Sequence, residues 1–288
     1  MTFKRLKLYA SMLRFGLTHN QDFALEHYGF FAGMLERLRK LDKDPRGRRV
    51  LDVGCGKTFW LSLLLSNFGA EVTGFDVEPV STGRRLTNFI DIGRRQGLER
   101  AVRTAAWALL LARPYYRGLE RLAGRKLSFD GLDLRTMSAG ALDFEAGVFD
   151  LAVSFEVFEH LPDVPAALGE IRRVLKPDGL TYIYVHNYTS LSGGHHIAWK
   201  YPDLEPSKTV PAWDHLRQNL FPDVPSWINR LRMSDFRRLF EAEFEILEWA
   251  PNGPEGAALL TAEIKAELAG YSEEELLTKG FTVIARPR

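Results

Sequence analysis

Seven short apolar runs punctuate the chain, most of them separated by stretches whose apolar positions recur every three or four residues. The runs Arg49–Val53 (RVLDV), Glu71–Phe75 (EVTGF, ending at Asp76), Phe149–Phe155 (FDLAVSF), Leu180–Val185 (LTYIYV), Phe244–Trp249 and Phe281–Arg286 read as strands. A weaker one lies near Leu127–Leu132. Helical spacing covers about Phe59–Phe68, Pro165–Leu175 and Ser234–Phe240, and Lys176-Pro177-Asp178-Gly179 is a turn signal closing the second of these. This alternation predicts an α/β fold: a doubly wound, mostly parallel seven-stranded, Rossmann-like sheet with helices on both faces. Ligands of such sheets sit beyond the carboxyl ends of the strands, so the chemistry is expected in the residues that follow them.

Three stretches exceed what that core needs. Residues 1–45 carry a helical apolar and aromatic stripe (Phe23, His27, Phe30, Phe31, Met34, Leu38) and read as an N-terminal helical cap, with the main domain over 46–288. Residues 81–126 form a helical insertion with eleven basic residues against Asp91, Glu99 and Glu120. Residues 187–233 hold five of the fourteen prolines, three of the six tryptophans and three of the seven histidines, the composition of a substrate loop rather than a passive linker.

Composition narrows the class. With 45% apolar and 26% charged residues, the chain has the make-up of a globular protein, not a disordered one. A net charge of +1 argues against a dedicated nucleic-acid binder. The longest apolar run, Ala105–Ala112, falls far short of the roughly 20 residues of a membrane span. Lys4, Arg5, Lys7 and Arg14 make the first helix basic, which suits peripheral contact with a membrane surface. Leu8, Met12 and Phe15 on its other side favour packing on the protein itself. No apolar leader precedes it, so a cytoplasmic location is expected. The single Cys55 can form neither an internal disulfide nor a zinc cluster.

The first strand runs into Asp52-Val53-Gly54-Cys55-Gly56-Lys57-Thr58. A P-loop would need glycine where Leu51 stands, and a dinucleotide fingerprint would need its third glycine where Phe59 stands. An acid two residues before the first glycine, with Asp76 closing the next strand, gives a third reading. VLDVGCG, GFDVEP, FDLAVSFEVFEHL and LKPDGL occur in the order of the class I S-adenosylmethionine (SAM) methyltransferases, which the chain resembles over about 48–80 and 127–288. The branch it is most similar to methylates small molecules. The third glycine of that family's first motif is Thr58 here, and a tighter loop is expected.

The resemblance implies SAM as cofactor, S-adenosylhomocysteine as product and a set of binding positions. Gly54, Cys55 and Gly56 form the cradle. Asp76 suits two ribose hydroxyls, Val77 lies against the adenine, and Met137 and Ser138 meet its edge. Asp52 suits the ammonium group and would repel a dinucleotide phosphate, whereas Asp76 would serve NAD equally well. Phe155 and Glu156 line the methionine part.

Glu156, Glu159 and His160 fall at i, i+3 and i+4, a spacing that resembles metal-dependent O-methyltransferases acting on quinones and small RNAs. In metal-free relatives the same sequence only packs or caps. His186, His195 and His196, with His215 behind them, follow the fifth strand and are the candidate general bases for a hydroxyl acceptor. Trp199, Tyr201, Trp213 and Trp227 read equally as a wall for an aromatic or sugar-like acceptor and as the loop's own core. The arginines of 81–126 suit an acidic acceptor. O-methylation of a small molecule is therefore expected. N- or C-methylation, RNA or metal-dependent O-methylation, an NAD-dependent oxidoreductase and a silent SAM-binding protein stand as the other readings. Oligomeric state has no signature in the sequence.

Overall fold

The computed structural model describes residues 3–79, 90, 93–94, 97–202, 205–222, 224 and 226–288. Much of the start of the expected basic insertion, at 81–89, 91–92 and 95–96, lies outside the described residues. Seven strands form one sheet in the order β3-β2-β1-β4-β5-β7-β6. The strands are β1 (Arg49–Val53), β2 (Glu71–Asp76), β3 (Asp133–Thr136), β4 (Phe149–Phe155), β5 (Leu175–His186), β6 (Phe244–Asn252) and β7 (Gly280–Pro287). The pairs β1–β2, β2–β3 and β4–β5 are parallel, while β7 runs antiparallel to both β5 and β6. This is the expected mostly parallel α/β sheet. Among the described residues no helix is long and apolar enough to cross a membrane.

The chain divides into two compact units, Met1–Ser138 and Ala139–Arg288. In the first, α1 (Phe3–Thr18) and α2 (Asn20–Lys40) precede β1, and α3 (Trp60–Phe68) links β1 to β2. Next come α4 (Leu98–Ala106), a π-helical turn Trp107–Leu111 and α5 (Ala112–Ala123). The long α2 buries Ala24, Phe31, Met34, Leu35 and Leu38, a stripe at helical spacing, and packs mainly on α5. Within the N-terminal segment, Gly16 of α1 lies against Leu111, and the Asn20 amide donates to the Leu111 carbonyl at 3.0 Å. Leu111 is buried, but Leu109 and Leu110 of the same run are exposed.

The third strand begins at Asp133, beyond the expected Leu127–Leu132. Asp130-Gly131 forms a turn, with Gly131 at φ 74°, and Ser128 is held to Asn67 through its N–H at 2.8 Å and its carbonyl at 2.8 Å. Those ties leave DLRT to pair with Thr73–Asp76.

In the second unit, α6 (Val164–Val174) is capped by Asp163, which accepts from Ala166 N–H, and buries one apolar face. The expected turn after it is absorbed into β5. Leu175 pairs with Phe149 and Leu180 with Leu151, so residues 176–179 bulge out opposite Asp150, whose carboxylate takes Lys176 Nζ at 2.7 Å. Helix α7 (Met233–Glu243) leads into β6, and two short helices, α8 (Ala262–Glu267) and α9 (Glu273–Leu277), precede β7. A satellite core of Leu191, Trp199, Val210, Trp213, Leu260, Leu268 and Leu276 fills the space between the 187–233 segment and α8–α9. Trp199 and Trp213 are thus part of that segment's own core, and Trp213 is fully buried.

Candidate active site

In the first unit, β1 delivers a buried Asp52 and then a turn pinned onto β2. Gly54 and Gly56 sit at φ 74° and 62°, a region open to glycine without strain. The Gly54 and Cys55 N–H groups both donate to the Phe75 carbonyl at 2.9 Å, and Gly56 N–H donates to Asp76 Oδ2 at 3.1 Å. Asp76 Oδ1 accepts from Glu78 N–H at 2.8 Å, and its carbonyl accepts from Met137 N–H at 3.0 Å. One aspartate therefore ties together the glycine turn, its own strand end and the segment after β3. Val77 beside it is 71% exposed, an open apolar surface at a strand tip; Met137 is half-buried and Ser138 exposed.

The expected effect of Thr58 takes a specific form. The next left-handed residue of this turn is Phe59, at φ 30°, so Thr58 needs no glycine, and its carbonyl accepts the Tyr116 hydroxyl at 2.9 Å. Phe59 is buried against Tyr116 and Phe129.

Asp52 lies beneath this turn rather than on it. Its carboxylate is buried and accepts the Ser62 hydroxyl at 2.6 Å. Burial pushes its pKa up to about 7, against the lowering effect of the Ser62 hydrogen bonds, and Asp76 adds to the rise. Gly74 permits the arrangement: a Cβ there would lie 2.3 Å from Ser62 Oγ. Cys55 is buried, and burial raises its thiol pKa, which keeps the thiol protonated.

In the second unit, the ends of β4 and β5 assemble a cluster of carboxyl and imidazole groups. Phe155 stacks on Tyr182 and Tyr184 at 5.6 and 6.0 Å. Glu156 follows at φ 54°, a left-handed non-glycine residue whose N–H donates to the Tyr184 carbonyl at 3.1 Å. Its Oε1 lies 4.0 Å from Nδ1 of the buried His186, the last residue of β5. Glu159 is 1% exposed, and neither of its carboxyl oxygens has a hydrogen-bond partner; burial, then the neighbouring Glu156, raises its pKa. His160 Nδ1 donates to the Trp227 carbonyl at 2.6 Å, which leaves Nε2 3.9 Å from Glu159 Oε1.

His195, at φ 56°, places its ring 4.9 Å from His160 and 4.7 Å from His186. Burial lowers the pKa of both His186 and His195, the latter to about 3, so both are neutral at pH 7. The ligand atoms of Glu159, His160 and His195 all lie within 4.8 Å of one another.

Two of the three candidate bases, His186 and His195, are thus brought together with Glu156, Glu159 and His160. His196 makes other contacts: its Nδ1 accepts from Ala198 N–H at 3.1 Å, and its ring meets Phe221. His215 Nε2 donates to the Tyr188 carbonyl at 2.9 Å, and burial lowers its pKa to about 4. Both line a cavity of about 450 Å³ with Trp199, Phe221, Trp227 and Arg230. Asn229 clamps the segment 187–233 to the turn after β4, donating to the Phe158 and Leu161 carbonyls at 2.7 and 3.1 Å. Sequence reasoning missed Asn229, Ser62 and the buried Glu255, none of which carries a local signal of its partner.

Comparison with known proteins gives the family of the chain. A family model described as a methyltransferase domain matches residues 25–248. A ubiquinone biosynthesis O-methyltransferase from Xanthomonas oryzae pv. oryzae is 28% identical over 210 residues, covering 66% of this chain and 72% of that protein. The chloroplastic tocopherol O-methyltransferase of Arabidopsis thaliana is 30% identical over 190 residues, covering 64% of this chain and 43% of that protein. The crystal structure of an S-adenosylmethionine dependent methyltransferase from Mesorhizobium loti overlays with a TM-score of 0.48 at 18% identity, covering 87% of this chain and 96% of that chain. The family match spans well over half the sequence, and it includes the glycine turn and both strand-end acids; the chain belongs to the class I SAM-dependent methyltransferases.

Proposed function

We propose that the enzyme moves the methyl group of SAM to a hydroxyl of a small-molecule acceptor. Methyl transfer is an in-line displacement, so positioning supplies much of the rate, and a hydroxyl nucleophile gains further from a neutral base. The observation that carries this reading is the neutral His186 beside Glu156 at the strand ends. An imidazole nitrogen takes the hydroxyl proton while the oxygen's electron pair forms the new O–C bond. The C–S bond breaks, its pair stays on sulfur, and S-adenosylhomocysteine departs. The Glu156 carboxylate stabilises the imidazolium. The relatives named as ubiquinone and tocopherol O-methyltransferases support oxygen as the methylated atom. Aromatic walls and Arg230 around the 450 Å³ cavity suit an aromatic acceptor bearing an acidic group. With ¹³C-methyl SAM and 3,4-dihydroxybenzoate as probe, NMR should show the label in a methyl ether. Label on carbon, or transfer only to amine probes, would overturn the hydroxyl assignment.

In the first unit, Asp76 is proposed to hold the ribose hydroxyls, Asp52 the ammonium group, and Val77, Met137 and Ser138 the adenine. Gly54, Cys55 and Gly56 present the backbone. In the second unit, Phe155 and Glu156 are the positions for the methionine part. Asp76→Ala removes charge-assisted hydrogen bonds to Gly56 and Glu78 as well as the ribose partner. It should weaken SAM binding roughly 10- to 100-fold by calorimetry, from about 1.5–3 kcal/mol for bonds to a charged group. Unchanged affinity would place the ribose elsewhere.

A second reading rests on Glu159, whose carboxylate is buried without a hydrogen bond. Two imidazole nitrogens and this carboxylate are a donor set that fits a divalent transition metal such as Mn²⁺ or Zn²⁺. Glu159, His160 and His195 would hold the ion, and once bound it would act as a Lewis acid on an acceptor oxygen. Under this reading EDTA abolishes turnover and added Mg²⁺, Mn²⁺ or Zn²⁺ restores it. Full activity in EDTA removes it.

A further inference from the structure

We propose that Glu255, acting through Ser192, is a positioning residue that locks His186 as its Nε2–H tautomer and so leaves Nδ1 as the basic nitrogen. The three residues form a buried chain. His186 Nε2 lies 2.8 Å from Ser192 Oγ, and Ser192 Oγ lies 2.9 Å from Glu255 Oε2. Glu255 Oε1 accepts from the Ser192 N–H at 2.8 Å. All three are within 5% of full burial.

Proton accounting gives the direction. A carboxylate only accepts, so the Ser192 hydroxyl donates its one proton to Glu255 and presents a lone pair to His186. That lone pair needs a donor, which is Nε2–H. A neutral imidazole carries one N–H, so Nδ1 is left with its lone pair, 4.0 Å from Glu156 Oε1 at the end of β4. Glu255 is 63 positions from Ser192, and it does for this imidazole what the third member of a catalytic triad does. The value of this tautomer to the enzyme rests on His186 being the base, as proposed above; the tautomer itself does not.

The test uses the whole chain labelled with ¹⁵N-histidine and long-range ¹H–¹⁵N correlation spectra, with the His186 signals assigned by their loss in His186→Gln. At neutral pH the unaltered protein should show a pyrrole-type Nε2 and a pyridine-type Nδ1 for His186. Glu255→Gln should exchange the two. The Ser192 N–H fixes the amide oxygen, so the amide NH₂ faces Ser192 Oγ and turns its proton onto Nε2. Ser192→Ala should populate both tautomers. A pyrrole-type Nδ1 in the unaltered protein overturns the proposal, as does a His186 spectrum that neither variant changes. Should Glu255→Gln fail to fold, the unaltered protein and Ser192→Ala still decide. If the spectra come out as expected but His186→Gln transfers methyl at the full rate, the base assignment falls and the relay stands.

Discussion

His186→Gln should lower single-turnover methyl transfer by about 10²–10⁴-fold, the range a general base contributes, with SAM affinity unchanged within about twofold. Glutamine retains a donor toward Ser192 Oγ and comparable bulk at the end of β5, so the change removes the basic nitrogen and little else. His195→Gln is the informative partner. Its ring contacts both His160 and His186, and it is one of the three groups whose ligand atoms lie within 4.8 Å of one another. A large loss at 186 with a small, EDTA-independent loss at 195 supports the imidazole base. If His186→Gln keeps its rate, His195→Gln does not, and EDTA inactivates the unaltered protein, catalysis belongs to a cation at Glu159, His160 and His195.

Urea unfolding of the ligand-free protein should show a term in stability that Asp52→Asn removes. The folded Asp52 pKa, about 7, stands above its ordinary 3.8, so the folded state binds this proton more tightly than the unfolded chain does. Stability from this group is complete below pH 4, falls as pH rises through 7, and above that is lower by on the order of 4 kcal/mol. Asparagine cannot ionise, yet still accepts from Ser62, so the variant should be the more stable one at pH 8 and lack this slope. An identical pH dependence in the two proteins would mean that Asp52 is ionised in both states. The same titration bears on the cofactor. If the SAM ammonium pairs with the ionised carboxylate, affinity should fall about tenfold per pH unit below 7.

The parts of the fold visible in sequence are those where burial is local. RVLDV and FDLAVSF are nearly continuous apolar runs because both faces of a central parallel strand are covered, and their observed bounds match the expected ones. Asp52 and Asp76 stood out because charges at strand ends break such runs. The third strand starts beyond the expected Leu127–Leu132: DLRT is a four-residue edge strand with three polar residues, its last two exposed, and no periodicity announces it.

Within the cluster, the types were legible and the pairings were not. His186 and Ser192 are six residues apart, but Glu255 reaches them only because β6 and the chain beyond it fold back. Phe59 in the left-handed region, next to a threonine at the family's third glycine, runs against side-chain preference, and only its packing on Tyr116 and Phe129 accounts for it. The aromatic segment 187–233 was ambiguous because a satellite core and a substrate wall draw on the same residues.

The antiparallel β7 lies between β5 and β6, and its residues 280–285 are all buried. During synthesis, then, β5 and β6 both emerge from the ribosome before the strand that joins them exists. Each waits with an unpaired edge until Gly280–Pro287 arrives. This half of the sheet closes in a single step when β7 inserts, and a nascent chain halted before Gly280 exposes two unpaired borders for a chaperone to hold.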